Sequence, residues 1–283
     1  MSNTDCSQSR HWRLSLSILA AVITVLLSAP APARAITYGE PDGNTHPFVG
    51  SIVLRVPDEG LFQWCSGTLI AERVFLTASH CTAPLDDELA ENPGAEVLVT
   101  FDPILSEGGT FYTGQWHTNP NYNGFQGPGG RSDPGDIAVI VLDEAPPIAP
   151  ARLPTAGLLD ELQASHTLND TGFTAVGYGT VRETNRTGFQ AIQDNLARNR
   201  VEQEVLSLTP AWLTLSMNLS TGNGGTCYGD SGGPHFIHLD GEETTIVASI
   251  TVTGDAPCKA TDVTYRTDTQ SARSFLAGFV DLP

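Results

Sequence analysis

Short apolar runs, broken at close intervals by turn-forming residues, are the feature that most limits how this chain can fold. The runs are rich in β-branched residues and are bounded by clusters of glycine, proline, asparagine and aspartate. They cover residues 48–56, 67–70, 97–101, 137–142, 174–176 and 244–252. This pattern predicts an antiparallel all-β protein. Helical periodicity is confined to a C-terminal stretch at 271–280 and a weaker one at 158–162.

The composition supports a large folded core and argues against two classes of protein. Of the 283 residues, 40% are hydrophobic and 16% are charged, a balance that is not typical of disordered chains. The formal net charge is −18, and the few basic residues form no stripe that could neutralise phosphates. Nucleic acid is therefore not an expected partner. No repeat with a period of about 20–50 residues is visible, which argues against a solenoid or propeller.

The first 35 residues have the organisation of a secretory signal peptide. Arg10 and Arg13 precede an apolar run at 14–27, and an Ala-Arg-Ala triplet follows at 33–35. The run is shorter than the roughly 20 residues that a membrane-spanning helix needs. We therefore expect cleavage after residue 35. The sequence predicts a secreted, extracellular protein without membrane attachment once the signal is removed.

The cysteine count becomes even when the signal peptide is removed. Cys6 is lost, and Cys65, Cys81, Cys227 and Cys258 remain. An even number of cysteines in a secreted chain indicates a disulfide framework. Four cysteines make two disulfides in one of three pairings, and the spacing alone leaves the pairing open.

Three segments carry residues suited to nucleophilic catalysis, in the chain order His, Asp, Ser. His80 closes an apolar segment, Asp136 opens another, and Ser231 lies in the glycine-rich segment 227–234. A serine hydroxyl needs a base to take its proton, and a neutral imidazole can do this. The imidazolium that forms needs a buried carboxylate to orient and stabilise it. Glycines beside the serine allow backbone N–H groups to face a developing oxyanion.

Two other polar groups are weaker candidates for a site. His235 and His238 could suggest zinc ligands, but a three-residue step along a strand directs them to opposite faces. The acidic cluster at 86–91 could hold calcium, but it lacks an alternating ligand pattern and is better explained as a solvated loop. We therefore predict neither a metal site nor a cofactor.

Together the three segments resemble the trypsin/chymotrypsin-like serine peptidase family. Residues 64–70 resemble the family's strand before the histidine, 117–122 its His-Pro-x-Tyr turn, and 177–179 its Gly-Trp-Gly. The similarity covers nearly all of residues 36–283. It implies two six-stranded antiparallel β-barrels packed face to face, with a short C-terminal helix.

The resemblance also implies a domain division and the roles of individual residues. The N-terminal barrel would span 36–150 and the C-terminal barrel 151–283, with a proline-rich linker at 145–150. The implied roles are His80 as general base, Asp136 as its orienting partner, Ser231 as nucleophile, and the N–H groups of Gly229 and Ser231 as oxyanion hole. The implied disulfides are Cys65 with Cys81 and Cys227 with Cys258.

The function implied is that of a secreted serine endopeptidase, which cleaves peptide bonds through an acyl-enzyme. We expect a monomer that acts on protein or peptide substrates without a cofactor. The alternative is a catalytically silent homologue that binds a partner, but the complete His, Asp and Ser set argues against it. An esterase would normally carry Gly-x-Ser-x-Gly on an α/β sheet, whereas this β-rich chain has Gly-Asp-Ser-Gly-Gly at 229–233.

The resemblance also places a primary specificity pocket. The candidate pocket residues are Gly225, Thr226, Thr251, Val252, Thr253 and Asp262. Gly225 stands six positions before the nucleophile, where trypsin-like members have an acid. Asp262 occupies a pocket-wall position if the loop after Cys258 is two residues short, and Thr264 takes that position if no gap is allowed. Small or medium apolar side chains are expected in preference to basic ones.

Activation in this family usually frees an N-terminal Ile or Val, whose ammonium pairs with the acid before the nucleophile. That acid is Asp230 here, and the matching N-terminal residue is Ile36. The expected signal cleavage falls directly before Ile36. The sequence therefore predicts that signal peptidase itself produces the mature terminus. Tyr38 stands where the family commonly has glycine.

Overall fold

Two antiparallel sheets make up most of the structure. The computed structural model describes residues 36–124, 133–182 and 192–283, and the expected signal peptide at 1–35 lies outside them. In chain order the strands are β1 (Glu40–Pro41), β2 (Val49–Val56), β3 (Gly60–Ala71), β4 (Val74–Thr77), β5 (Glu96–Thr100), β6 (Gly114–Thr118), β7 (Ala138–Leu142), β8 (Gly172–Gly177), β9 (Val181–Arg182), β10 (Ile192–Gln193), β11 (Asn199–Leu208), β12 (Trp212–Ser216), β13 (Pro234–Leu239), β14 (Glu242–Gly254) and β15 (Thr261–Arg266). The strands predicted from the apolar runs are confirmed. The described part of the chain contains no helix that is long and apolar enough to cross a membrane.

The first sheet has six strands in the order β5-β2-β3-β4-β7-β6. Its outer strands approach each other through a bridge between Val99 in β5 and Tyr112, just before β6. The sheet therefore curls back on itself. Strand β4 pairs with β7 so that Thr77 lies opposite Ala138, and this register brings the segments that follow β4 and precede β7 to the same end of the sheet.

The second sheet closes into a barrel. Its order is β1-β11-β12-β15-β14-β13-β8, and β8 also pairs with β11. Six strands form the closed ring, while β1 adds to it by pairing Glu40 with Arg200. Strands β9 and β10 form a separate two-stranded ribbon. The expected all-β fold of two six-stranded barrels is confirmed, the first as a curled sheet and the second as a closed barrel.

Four short α-helices connect or flank the strands of the described chain. They are α1 (Ser79–Thr82), α2 (Leu85–Glu91), α3 (Leu158–Ala164) and α4 (Gln270–Leu276). Helix α4 confirms the predicted C-terminal helix, and the hydroxyl of Thr269 caps it by accepting the N–H of Ala272 at 3.2 Å. The solvated loop proposed for the acidic cluster is wrong, because these residues form α2. Acidic residues in its first turn favour the positive end of the helix dipole, and Leu85 is buried.

The ring of Phe75 packs against two glycines inside the first sheet. A β-carbon built at Gly67 would lie 2.5 Å from Phe75 Cε1, and one built at Gly50 would lie 2.9 Å from Cε2. Only glycine therefore leaves room for the ring at these two strand positions. The ring also meets Phe101 edge to face, with centroids 5.7 Å apart. Phe75 belongs to β4, so these contacts pack the strand that leads to His80.

A buried guanidinium joins the two sheets. Arg198 Nε donates to Asp42 Oδ2 at 2.8 Å, and NH2 donates to the Gly43 carbonyl at 2.8 Å. NH1 donates to the carbonyls of Val49 at 2.8 Å and Phe101 at 3.0 Å, both in or beside the first sheet. Arg198 is 1% exposed and Asp42 is 3% exposed. The pair is thus removed from water but well supplied with hydrogen bonds, as a buried charge requires.

The same cluster contains a histidine between two carboxylates. His46 Nδ1 lies 2.5 Å from Asp42 Oδ1, and Nε2 lies 2.7 Å from Glu243 Oε1. Burial disfavours a charged ring, but the hydrogen bonds and charges of the two carboxylates outweigh it and raise the pKa of His46. Its contribution to stability is complete below the unfolded pKa of about 6.5 and is lost as the pH rises through the raised folded pKa.

Replacing Arg198 should cost far more stability than replacing a neighbouring arginine. Arg198→Gln leaves Asp42 buried with His46 as its remaining basic partner and removes the bonds to three backbone carbonyls, so we expect a loss of about 3–5 kcal/mol in the free energy of unfolding. Arg200→Gln is the matched control, because Arg200 pairs with the exposed Glu40 and such pairs contribute about 0–1 kcal/mol. Urea denaturation of both variants measures the difference. Equal losses would contradict the role of Arg198.

Candidate active site

His80 and Asp136 meet at the end of the first sheet. His80 lies in α1, which begins two residues after β4 ends, and Asp136 lies two residues before β7, which pairs with β4. Asp136 Oδ2 lies 3.0 Å from His80 Nδ1, while Oδ1 accepts the His80 backbone N–H at 2.9 Å. Asp136 is 1% exposed and the His80 side chain is 25% exposed. The carboxylate thus holds both the ring and the backbone of the histidine, and the other ring nitrogen is left for a further partner.

Side-chain bonds and a disulfide fix the segment that carries His80. Cys81 forms a disulfide with Cys65 of β3. Trp64 Nε1 donates to the Cys81 carbonyl at 2.8 Å. The Ser79 hydroxyl donates to the Ile137 carbonyl at 2.8 Å, which ties α1 to the start of β7. The ring of His80 is therefore held on a rigid base.

The loop that carries Ser231 packs against the same end of the first sheet. The Ser231 carbonyl accepts the N–H of Ser66 in β3 at 2.8 Å. The next residue, Gly232, has a φ of 78°, and a β-carbon there would lie 2.2 Å from Thr77 Oγ1. Glycine is required by both the conformation and the close approach. Among the described residues, no hydrogen bond joins the Ser231 hydroxyl to the His80 ring, and such bonds often close only when substrate binds.

The carbonyl of Gly229 is held by two side chains of the first sheet. Gln63 Nε2 donates to it at 2.8 Å and Ser66 Oγ donates to it at 3.0 Å. Gly229 has a φ of 92°, which non-glycine residues rarely adopt. These bonds fix the orientation of the peptide unit between Gly229 and Asp230. Sequence reasoning missed Gln63, and no local signal identifies it, because its contact crosses from one sheet to the other.

Asp230 lies in a buried cradle of backbone N–H groups. Its carboxylate accepts the N–H of Gly179 at 2.7 Å and of Cys227 at 2.8 Å. Burial outweighs these two bonds and raises the pKa of Asp230 to about 7, and the charge of Asp262 adds to the effect. A β-carbon at Gly177 would lie 2.2 Å from Asp230 Oδ1. No cation is bonded to this carboxylate within the described residues.

The segment that begins at Ile36 enters the second barrel. Ile36 is fully buried with Ala175 and Val201. Thr37 and Gly225 form a bridge with two hydrogen bonds of 2.9 Å each. Gly225 belongs to the segment that continues to Asp230, so the N-terminal segment is attached to the loop that carries Ser231.

The predicted pocket residues fall into two groups. The first borders the Ser231 loop, since the Gly232 N–H donates to the Thr251 carbonyl at 2.8 Å and Thr226, Val252 and Thr253 adjoin the same segments. The second group is Asp262 alone, which is fully buried. Its Oδ2 accepts Gln203 Nε2 at 3.0 Å and lies 3.1 Å from His235 Nε2.

One group of metal-type side chains comes together in the described residues, namely Cys65, His80 and Cys81. The two sulfurs are bonded to each other, so neither is a thiolate ligand. His235 and His238 contact different partners, Asp262 and Thr174. A second disulfide joins Cys227 and Cys258.

The fold is that of a chymotrypsin-like serine protease. The solved structure of HL collagenase is similar to this chain with a TM-score of 0.57 and 18% sequence identity, and the match covers 82% of this chain and 94% of that one. The sequence matches the family model described as Trypsin over residues 38–275. The chain therefore belongs to the trypsin family.

The buried carboxylate of Asp230 leaves no room for a methyl group at Gly177. Gly177→Ala should lower the free energy of unfolding by about 1–3 kcal/mol, because the new β-carbon overlaps the buried carboxylate. Gly108→Ala is the control, since a β-carbon there meets nothing within 4 Å. We expect that variant to stay within about 0.5 kcal/mol of wild type. Chemical denaturation of both proteins measures the effect, and a Gly177→Ala protein of wild-type stability would refute the cradle.

Proposed function

We propose that this chain is a secreted serine endopeptidase in which His80, Asp136 and Ser231 hydrolyse peptide bonds. The observation that carries the proposal is the His80–Asp136 pair, with the ring held at 3.0 Å and its other nitrogen directed away from the carboxylate. The Ser231 loop packs on the same end of the first sheet. Membership of the trypsin family supports the same chemistry.

The proposed reaction has two halves. Ser231 Oγ attacks the peptide carbonyl while His80 Nε2 accepts its proton, and the same nitrogen then protonates the leaving amine. Asp136 keeps the proton of the ring on Nδ1 and stabilises the imidazolium. In the second half, water attacks the acyl-enzyme while His80 Nε2 accepts its proton, and the same nitrogen returns a proton to Ser231 Oγ as the acid product leaves. No step needs a metal or other cofactor.

The N–H groups of Gly229 and Ser231 are the proposed oxyanion hole. Such donors help most when their positions are fixed before the reaction, because no reorganisation is then needed. The Thr180 N–H donates to the Tyr228 carbonyl at 2.7 Å and so holds the peptide unit that carries the Gly229 N–H, while Gln63 and Ser66 hold the next peptide unit through the Gly229 carbonyl. We assign Gln63 and Ser66 as positioning residues, since neither would touch the substrate.

The substrate is proposed to be a protein or peptide that lies between the two barrels. The division into barrels at 36–150 and 151–283 is part of this proposal, with Glu40–Pro41 paired to β11 of the second barrel. One chain supplies every proposed catalytic group, so a monomer suffices. The two disulfides are consistent with secretion into an oxidising compartment.

Activation is proposed to depend on the amine of Ile36. Asp230 is a buried carboxylate without a cation in the described residues, and Thr37 is bonded to the same loop. An ammonium freed at Ile36 would supply the missing positive charge. Cleavage by signal peptidase directly before Ile36 would then activate the protein without a second proteolytic step.

Variants of the proposed triad test catalysis directly. Ser231→Ala should abolish peptide hydrolysis, and Asp136→Asn should lower kcat by about 10⁴-fold because the imidazole loses its orientation. Both variants should unfold within about 1 kcal/mol of wild type if their effect is chemical. Peptide cleavage assays and thermal unfolding give the two readouts. A near-wild-type rate in either variant would contradict the assignment.

A fluorophosphonate separates a peptidase from a silent homologue. Wild type should be labelled on Ser231, as located by mass spectrometry, whereas Ser231→Ala should not react. A silent homologue would leave wild type unlabelled under the same conditions.

The mature terminus and its pH dependence form a separate prediction. Sequencing of the secreted, active protein should begin at Ile36. An α-amino group has an unfolded pKa of about 7.7–8.0, and pairing with Asp230 should raise it in the folded state. The stabilisation is then complete below the unfolded pKa and disappears as the pH rises through the folded pKa, so activity should fall in alkaline solution. A different terminus, or full activity after acetylation of this amine, would refute the activation step.

A further inference from the structure

Met217 fills the space beside Gly225. A β-carbon built at Gly225 would lie 2.0 Å from Met217 Sδ and 2.1 Å from Met217 Cγ. The methionine side chain therefore occupies the volume that a side chain at residue 225 would need. Met217 is 1% exposed, so packed protein atoms rather than water fill the volume beside Gly225.

Surrounding contacts hold Met217 in this place. It directly follows β12, and its N–H donates to the Ala260 carbonyl at 3.0 Å. Its side chain packs against the Cys227–Cys258 disulfide, together with the partly buried Ile192. The thioether thus lies between a covalent cross-link and the backbone of Gly225.

The acidic residues near this segment are engaged elsewhere. Asp230 accepts two backbone N–H groups, and Asp262 Oδ2 is contacted by Gln203 and His235. Both carboxylates are 0% exposed. Within the described residues, neither acid is presented to a basic side chain that enters from solvent.

We propose that Met217 is a specificity-determining residue, an inference that rests on the peptidase function proposed above. Its thioether forms an apolar floor at Gly225. This floor admits a short apolar side chain on the residue before the cleaved bond and excludes long aromatic or basic ones. One methylene more or less in an apolar pocket changes the discrimination between substrates by about 10–200-fold. Removing several atoms of the Met217 side chain should therefore change the relative kcat/KM values measurably.

Shortening Met217 is the direct test. Chromogenic peptides ending in Ala, Leu, Phe or Arg are compared at equal concentrations of fluorophosphonate-titrated sites. Wild type should cleave the Ala and Leu peptides at least 10-fold faster than the Phe and Arg peptides in kcat/KM. Met217→Ala should raise the Phe/Ala ratio at least 10-fold. Met217→Leu conserves the volume and should keep the wild-type ratio, as should the exposed control Leu219→Ala.

A reciprocal swap tests the overlap between the two residues. Gly225→Asp alone should abolish fluorophosphonate labelling of Ser231, because the new side chain overlaps Met217. Gly225→Asp combined with Met217→Ala should restore labelling and direct cleavage to the Arg peptide. If the fluorophosphonate does not label the Met217→Ala protein, Met217→Val is used instead. That variant must raise the ratio of kcat/KM for the Phe peptide to that for the Ala peptide.

The possible failures are distinguishable. Two results overturn the role of Met217 and leave the peptidase function intact. One is a Met217→Ala protein that the fluorophosphonate labels fully but that keeps the wild-type Phe/Ala ratio, and the other is a wild-type protein that prefers the Arg peptide. A wild-type protein that the fluorophosphonate does not label on Ser231 overturns the proposed function itself.

Discussion

The candidate site depends on hydrogen bonds that β3 of the first sheet makes with the Ser231 loop of the second. Ser66 donates its N–H to the Ser231 carbonyl and its hydroxyl to the Gly229 carbonyl, and Gln63 donates to Gly229 as well. Hydrogen bonds are directional, so they fix the rotation of the loop as well as its distance. Apolar packing is not directional and could not do this alone. The placement of His80 relative to Ser231 therefore follows from polar contacts across the barrel boundary.

Within the part of the chain that the structure describes, two buried carboxylates of the core and the site have a basic partner, whereas that of Asp230 does not. Asp42 has Arg198 and His46, and Asp136 has the His80 ring and backbone. Asp230 instead has only N–H groups, and burial raises its pKa to about 7. The proposed binding of the Ile36 amine would give Asp230 a partner of the kind that Asp42 and Asp136 already have.

The sequence predicted what depends on local pattern and missed what depends on distant contacts. The strands followed from apolar runs, and the His80 and Ser231 segments from motifs with their own chemistry. Helix α2 was missed because its acidic residues lack apolar periodicity. Neither Gln63 nor Met217 lies in a recognisable sequence motif. Each contacts a glycine of another segment, and that contact exists only in the folded protein. The closure of the second barrel depends on pairing between β8 and β11, which no single segment encodes.

The pairing of Glu40 with Arg200 has a consequence for the order of folding. These residues are 160 positions apart, so β1 has no partner strand until most of the protein has been synthesised. Contacts of such long sequence separation form slowly, and domains generally fold in the order of synthesis. Strand β1 therefore joins its sheet only after β11, which follows it by about 160 positions in the chain, has formed.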